Sequence, residues 1–569
     1  MKYASRSFTP HPSPAMVTRT LSRFTLAACA ASVFATALLA QAPTFEVTVD
    51  PATRAAPLTG RLIVVVSKTA QQEPRMLIAP QGPAMFAIDV EQLRAGQPAL
   101  VDTKSALGYP VPLASLPPGD YYAQAIVNVY EHVKRADGKT LWLHMTDGTQ
   151  EVMQIAAGNI YSEPQKVTVG KGGTVKLRIT KIIQASPRPR DTEWVKRVRI
   201  QSQKLTAFWG RPMYVHATVL LPKGYNERTS VRYPTVYTFG HNVPFSLNPD
   251  STRFRTNGQI HPVTGVETGY DFYKAWVSDN FPRFIAVSFE QATPFFLDSY
   301  SVNSASNGPY GDAMVEEVIP ALEKQFRMIA KPYARLAEGA STGGWQTLAL
   351  QLKHPDFFGG AWVLQPDPID FRRYQLVDIY TDTNAFVMPN TQVTTTERPF
   401  RRTVEGQVTW TLRQMSLFEE VLGTRVRANY QLTGWEAIYG PLDADGYPKP
   451  LWNKITGTID REVANYMKEN GFDLREYAQR NWATLGPKVA HKLHFFSGDM
   501  DDFYLNLAVY RFEEFLKSTP DGKNVPFTYG RPMKGHSWHA FPWAEMVRQM
   551  GAHVQKHAPA GEDTKAWWY

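Results

Sequence analysis

Gly339-Ala340-Ser341-Thr342-Gly343 is the stretch on which the reading of this chain turns. A short apolar segment, Tyr333 to Ala337, precedes it. Gly344-Trp345-Gln346-Thr347-Leu348-Ala349-Leu350-Gln351-Leu352-Lys353 follows in a helical pattern that stops at His354-Pro355. Strand, tight turn and helix around a G-x-S-x-G serine describe a nucleophile elbow. The turn is strained, and its small residues let strand and helix backbones approach while the serine hydroxyl projects. The pentapeptide alone arises by chance roughly 0.1 to 0.2 times in a chain of this length, so its meaning depends on partners elsewhere.

A serine hydroxyl is a poor nucleophile without a histidine to take its proton and an acid to hold that histidine. Around an elbow of this kind the order along the chain is serine, acid, histidine. The strand-like Lys492-Leu493-His494-Phe495-Phe496 leads into Gly498-Asp499-Met500-Asp501-Asp502, which offers three carboxylates. Pro526-Phe527-Thr528-Tyr529 leads in turn to Lys534-Gly535-His536-Ser537-Trp538-His539. His539 with Asp499 would suggest a metal pair, but no third ligand stands at a recognisable spacing, so no metal site is expected.

The chain has 569 residues, 43% hydrophobic and 20% charged, which is ordinary globular composition but too long for one core; two domains are expected. Part of the net charge of +9 comes from Lys2, Arg6, Arg19 and Arg23, and the remaining basic clusters, such as Lys196-Arg197-Val198-Arg199 and Arg401-Arg402, are short and scattered. They read as solvated surface, with no nucleic acid as partner. The basic start, the apolar Phe24 to Ala40 and the site at Ala40-Gln41-Ala42 read as a signal peptide over residues 1–42, with Met16 as an alternative start. The expected location is periplasmic or secreted. Leu26-Ala27-Ala28-Cys29 suggests lipid anchoring through Cys29 as the lesser alternative. Cys29 is the one cysteine, so the folded part holds no disulfide. Beyond the signal no stretch is apolar for the length of a membrane span, and none is expected in the mature chain.

Residues 43–182 carry short alternating segments separated by turns: Phe45 to Val49, Leu62 to Val66, Tyr121 to Tyr130, Leu141 to Leu143 across Asp137-Gly138, Val167 to Val169 and Thr174 to Ile179. This pattern predicts a β-sandwich, Ig-like domain. Ser186-Pro187-Arg188-Pro189-Arg190 marks a linker over 183–205. From 206 to 369 strands alternate with helices, including a helix over Gly311 to Phe326 that Pro320 should kink, and a mostly parallel α/β sheet follows. The next strand comes only at Lys492, so residues 370–488 read as a cap inserted over the site, or as extra helices outside the sheet, and 489–569 complete the sheet. No internal repeat or low-complexity tract is present.

The sequence resembles the putative esterase family of α/β-hydrolases, which includes S-formylglutathione hydrolases (esterase D), feruloyl esterases, enterochelin esterases and mycolyltransferases. The resemblance runs from about Ser202 to Trp543 without the cap. It rests on Val219-Leu220-Leu221-Pro222, the Tyr233-Pro234 strand, the elbow, the Gly-x-x-Asp at Gly498 and the late Gly535-His536-Ser537-Trp538. It implies the α/β-hydrolase fold and a triad of Ser341, Asp501 and His536, with Asp499, Asp502 and, further off, Asp367 as alternative acids. It also implies an oxyanion hole from the backbone amides of Thr342 and His241. Gly240 matches the family's glycine there, whereas Phe239 departs from the usual residue. The polar loop Asp298 to Gly311 falls on the ligand edge of an open α/β sheet, which makes Asn303 and Asn307 candidate substrate-binding residues. The alternative is that its asparagines satisfy their own backbone.

The expected function is that of an exported serine carboxylic ester hydrolase working through an acyl-enzyme, without cofactor, on a small-molecule or polysaccharide-linked ester. The alternatives are an acyltransferase on the same scaffold, a peptidase using the same triad, and a noncatalytic polysaccharide-binding envelope protein.

Overall fold

The sheet that carries the elbow has eight strands: β1 (Val195–Ser202), β2 (Met213–Leu220), β3 (Thr235–Phe239), β4 (Ile285–Glu290), β5 (Arg335–Ser341), β6 (Gly360–Pro366), β7 (Leu493–Gly498) and β8 (Phe527–Gly530). This is a computed structural model, and it describes residues 42–241, 269–388 and 393–569. The expected signal peptide, with Cys29, lies outside the described residues. The strand order is β1-β2-β4-β3-β5-β6-β7-β8. β2 runs antiparallel to both its neighbours, and the remaining pairs are parallel. The central strands are buried on both faces, which is why Val236 to Phe239, Ala286 to Phe289 and Ala361 to Leu364 read as largely apolar runs, broken only by the buried Thr238 and Ser288.

Two expectations are corrected. The segment 183–205 is not all linker, because Val195–Ser202 is the edge strand β1. Its outward positions hold Arg197, Arg199 and Gln201, and a charged edge that resists pairing with another chain does not look like a core strand in sequence. The helix expected over Gly311 to Phe326 is helical but interrupted. Ala313–Val318 takes a π-helical turn before Ile319–Gln325. Pro320 brings no N–H of its own, and the interruption falls in the turn just before it.

Between Thr44 and Ile182 ten strands are connected by hydrogen bonds into a second sheet. The sixteen-residue strand Gly119–Lys134 makes this possible by pairing with Leu58–Ser67, Ile160–Ser162, Gln165–Val169 and Thr140–Leu143 along its length. Leu62, Val64 and Val66 close on this region's own core with Phe45, Phe86 and Ile179. Ile63 and Val65, on the opposite face, join Met85, Ala87 and Tyr109 in a different core shared with the segment between β6 and β7. Period-two alternation thus produces one apolar run with two separate destinations.

Helix α1 (Thr342–Lys353) joins β5 to β6, and the segment between β6 and β7 includes a hairpin, Pro399–Arg402 with Val408–Thr411, and the helices α2 (Leu412–Leu422) and α3 (Gln431–Tyr439). A capping box from Thr411 and Gln414 starts α2. Buried Arg61 of the all-β region ends it, donating from Nε to the Val421 carbonyl at 3.0 Å and from Nη2 to the Glu420 carbonyl at 3.1 Å. A guanidinium on the last carbonyls of a helix meets the negative end of its dipole. The chain from Ala40 to Tyr569 accordingly forms one compact unit.

Candidate active site

Ser341 is the last residue of β5, and α1 starts at Thr342. Its backbone sits at φ 58° and ψ −120°, a conformation that costs energy for any residue with a side chain. The glycines that flank it answer to distance. A Cβ on Gly339 would lie 2.5 Å from the carbonyl carbon of Gly343, and one on Gly343 would lie 2.0 Å from the Phe239 carbonyl oxygen. No larger residue allows β5, β3 and the first turn of α1 to pack this closely.

The three aspartates after β7 have three different occupations. Asp501 is fully buried, and its Oδ2 stands 2.7 Å from His536 Nδ1 while its Oδ1 accepts the amides of Phe503 and Leu505 at 2.9 and 3.2 Å. Asp502 Oδ1 accepts the backbone N–H of His536 at 3.0 Å, and its Oδ2 is 3.3 Å from Arg401. Asp499 Oδ1 accepts the Lys534 amide at 3.0 Å. One carboxylate holds the ring, the second holds its backbone, and the third holds the loop. Burial by itself lowers the basicity of His536, but the charge and hydrogen bond of Asp501, with Asp367 and Asp502 beyond, outweigh it and raise the imidazole above its ordinary value. A proton on Nδ1 shared with Asp501 leaves Nε2 as the acceptor.

Ser341 and His536 line one cavity of about 320 Å³, together with His241 and Asp367. Most of its wall comes from the segment between β6 and β7: Phe400, Arg401, Trp410, Tyr430, Gln431 and Trp435. Pro80 of the all-β region also reaches it. The hairpin is tied to the aspartate loop, since the Arg402 amide donates to the Asp502 carbonyl at 2.8 Å and Arg402 Nε to the Asp501 carbonyl at 3.1 Å. Gly240, at φ 107°, comes close to the start of α1, where its Cβ would meet Gly343 N at 3.1 Å. Burial holds the His241 ring below its usual basicity, and among the described residues its Nδ1 has no hydrogen-bond partner.

Asp367 does not act on His536 through a hydrogen bond. Its Oδ1 accepts from Ser341 Oγ at 3.3 Å. Its Oδ2 accepts from Gln431 Nε2 at 3.0 Å, Thr342 Oγ1 at 3.1 Å, Trp435 Nε1 at 3.2 Å and the Tyr300 hydroxyl. Asn303 and Asn307, expected to bind substrate, do not line this cavity. Asn303 Oδ1 accepts the Asp312 amide at 3.0 Å and so orders its own loop; the Asn307 carbonyl accepts from Trp209 Nε1 at 3.1 Å, and its buried side-chain amide has no hydrogen-bond partner among the described residues. The residue of that loop that reaches the site is Tyr300. Gln346 of α1 pins the loop inward by donating to Asp298 at 2.7 Å and accepting from Ser301 at 3.0 Å. Tyr300, Gln431 and Trp435 had no signal in sequence beyond the aromatic richness of their segments.

An eight-stranded sheet in this order, with β2 reversed and a strained serine at the end of β5, defines an α/β-hydrolase-like fold. No family model matches the sequence, and no curated protein matches it. Among solved structures, it is similar to a ferulic acid esterase at 16% identity, TM-score 0.34, covering 64% of this chain and 98% of that one. A fluorophosphonate-binding serine hydrolase of Staphylococcus aureus matches at 15% identity, TM-score 0.31, over 63% and 98%. The S-formylglutathione hydrolase of the same organism matches at 14% identity, TM-score 0.34, over 63% and 98%. At these values the assignment of the fold rests on the strand order and the turn at Ser341.

Proposed function

We propose that this chain is an exported serine carboxylic ester hydrolase. The observation that carries the reading is the 2.7 Å contact of His536 with buried Asp501 in the cavity that Ser341 lines. Ser341 Oγ attacks the ester carbonyl and His536 Nε2 takes its proton. The imidazolium, held by Asp501, passes that proton to the departing alcohol oxygen, and water repeats the sequence on the acyl-enzyme. The amides of Thr342 and His241 stabilise the oxyanion, a role that backbone donors at a helix start are suited to. Residues 370–488 serve as the cap that shapes the acyl pocket, and the sandwich-like region of 43–182 supports that cap. The substrate is a small-molecule or polysaccharide-linked ester met outside the cytoplasm.

A fluorophosphonate probe tests this reading directly. Covalent labelling of the full chain is expected, and it should be absent in Ser341→Ala. An unlabelled wild-type protein would sink the proposal.

A further inference from the structure

Asp367 brings a carboxylate to the floor of the Ser341 cavity, and every hydrogen-bond partner its side chain has among the described residues is neutral. Four donors converge on Oδ2, and none of them carries a charge. Oδ1 has one donor, the hydroxyl of Ser341. That donor is consumed by the reaction: as Oγ bonds to the carbonyl carbon, its proton leaves for His536 Nε2. Oδ1 then stands about 3.3 Å from an ester oxygen with no proton between them, close to developing negative charge. A buried acceptor that loses its donor in this way is costly unless the substrate replaces it.

We propose, building on the hydrolase reading above, that the preferred substrates are esters of acids with a protonated amino group on the carbon next to the scissile carbonyl, and that Asp367 Oδ1 is the counter-ion selecting them. Such an ammonium returns the lost proton donor and cancels the carboxylate charge in one group. A hydroxyl at that carbon restores only the hydrogen bond. Trp435 and Tyr430 also line this cavity and suit a cation, whereas the Phe503 ring is already faced by Arg401 at 5.2 Å. The cavity's own cation, Arg401, is already engaged by Asp502 at 3.3 Å and leaves Asp367 unpaired. Asp367 is therefore a specificity-determining residue, and its role is separate from that of Asp501.

The test compares rates of covalent inactivation of the full chain by three diphenyl phosphonates. These are the 1-aminoethyl, 1-hydroxyethyl and isopropyl derivatives, each normalised to its own hydrolysis by hydroxide and used where the amine is protonated. The amino compound is expected to lead the isopropyl one by about thirtyfold, as for removal of one partner of a buried charge pair, with the hydroxy compound well behind it. In Asp367→Asn the lead should collapse to near unity. A wild-type protein with no preference for the amine, or with equal preference for amine and hydroxyl, overturns the proposal. So does an Asp367→Asn protein that slows equally with all three, which would make Asp367 a general support of the imidazolium. Should that variant not fold, the wild-type series decides alone. Labelling of Ser341 by a plain fluorophosphonate with no amine preference sinks this inference and leaves the hydrolase reading standing.

Discussion

Ser341 is the last residue of one strand and Asp501 and His536 stand a few residues beyond the ends of two others of the same sheet, whereas the walls around them come from segments remote in sequence. The first group is held by short connections: Asp501 lies three residues past the last residue of β7, and His536 six past the last of β8. The second depends on long-range packing. Arg61 reaches α2 across 360 residues, and Tyr300, Asp367 and the α3 residues Gln431 and Trp435 meet from three separate segments. The proposed reactive geometry is thus local to strand ends, while the proposed selectivity is a property of the assembled tertiary structure. Substitutions in the two groups should fail differently.

The largest effect should fall on the strand ends. Ser341→Ala is expected to lower kcat for ester hydrolysis by about 10⁶-fold with an unchanged thermal midpoint, as for loss of a nucleophile from a working triad. Asp501→Asn should cost about 10⁴-fold, because the amide favours the wrong imidazole tautomer. Asp502→Asn should cost only about tenfold, since Asp502 holds the His536 backbone and not the ring. If Asp502→Asn proved as damaging as Asp501→Asn in steady-state assays, the division of labour between these carboxylates would be wrong.

The pH profile sharpens the same comparison. A general base must be neutral, and Asp501 raises the basicity of His536 against the lowering effect of burial. The acid limb of kcat/KM should therefore lie above the ordinary histidine value of about 6.5. In Asp501→Asn it should move to lower pH. Stability runs in the opposite sense: the contribution of protonated His536 is fully present below its unfolded-state pKa and is lost as pH rises through the raised folded value. A limb that stays put in Asp501→Asn would separate the basicity of His536 from Asp501.

The smallest effect on chemistry should come from the distant support. Arg61→Met removes the two hydrogen bonds that end α2 and the 3.3 Å ion pair with Asp89. A loss of about 2 kcal/mol in denaturant unfolding is expected. Fluorophosphonate labelling should change far less than the rate with bulky esters. Equal losses in both would show that the all-β region supports the reacting groups themselves and not only the walls.

Much of the sheet was legible because both of its signals are local. Apolar runs marked β3, β4, β6 and β7, and the glycines around Ser341 marked the turn, since a backbone approach of 2.0 to 2.5 Å from a would-be Cβ excludes every other residue. β1 was not legible, because its outward arginines and glutamine hide an inward alternation behind a charged edge. The hairpin at Pro399 to Thr411 was missed for a similar reason: its two strands are four residues each, with irregular register and mixed polarity. Asn303 and Asn307 share their loop with Tyr300, which bonds Asp367, but nothing in the sequence of Asp298 to Gly311 says which of its residues turns inward. That choice is made by Gln346 of α1, a residue that belongs to another element.

By itself, then, the sequence determined the strand–turn–helix around Ser341, the order of its partners and the α/β character of the sheet, because each follows from short-range periodicity and steric limits. Only the tertiary structure decided which aspartate meets His536, that Asp367 lies beside Ser341, and that Tyr300 is the loop residue at the site. Those outcomes depend on contacts between chain segments tens to hundreds of residues apart, and no local pattern encodes where such segments meet.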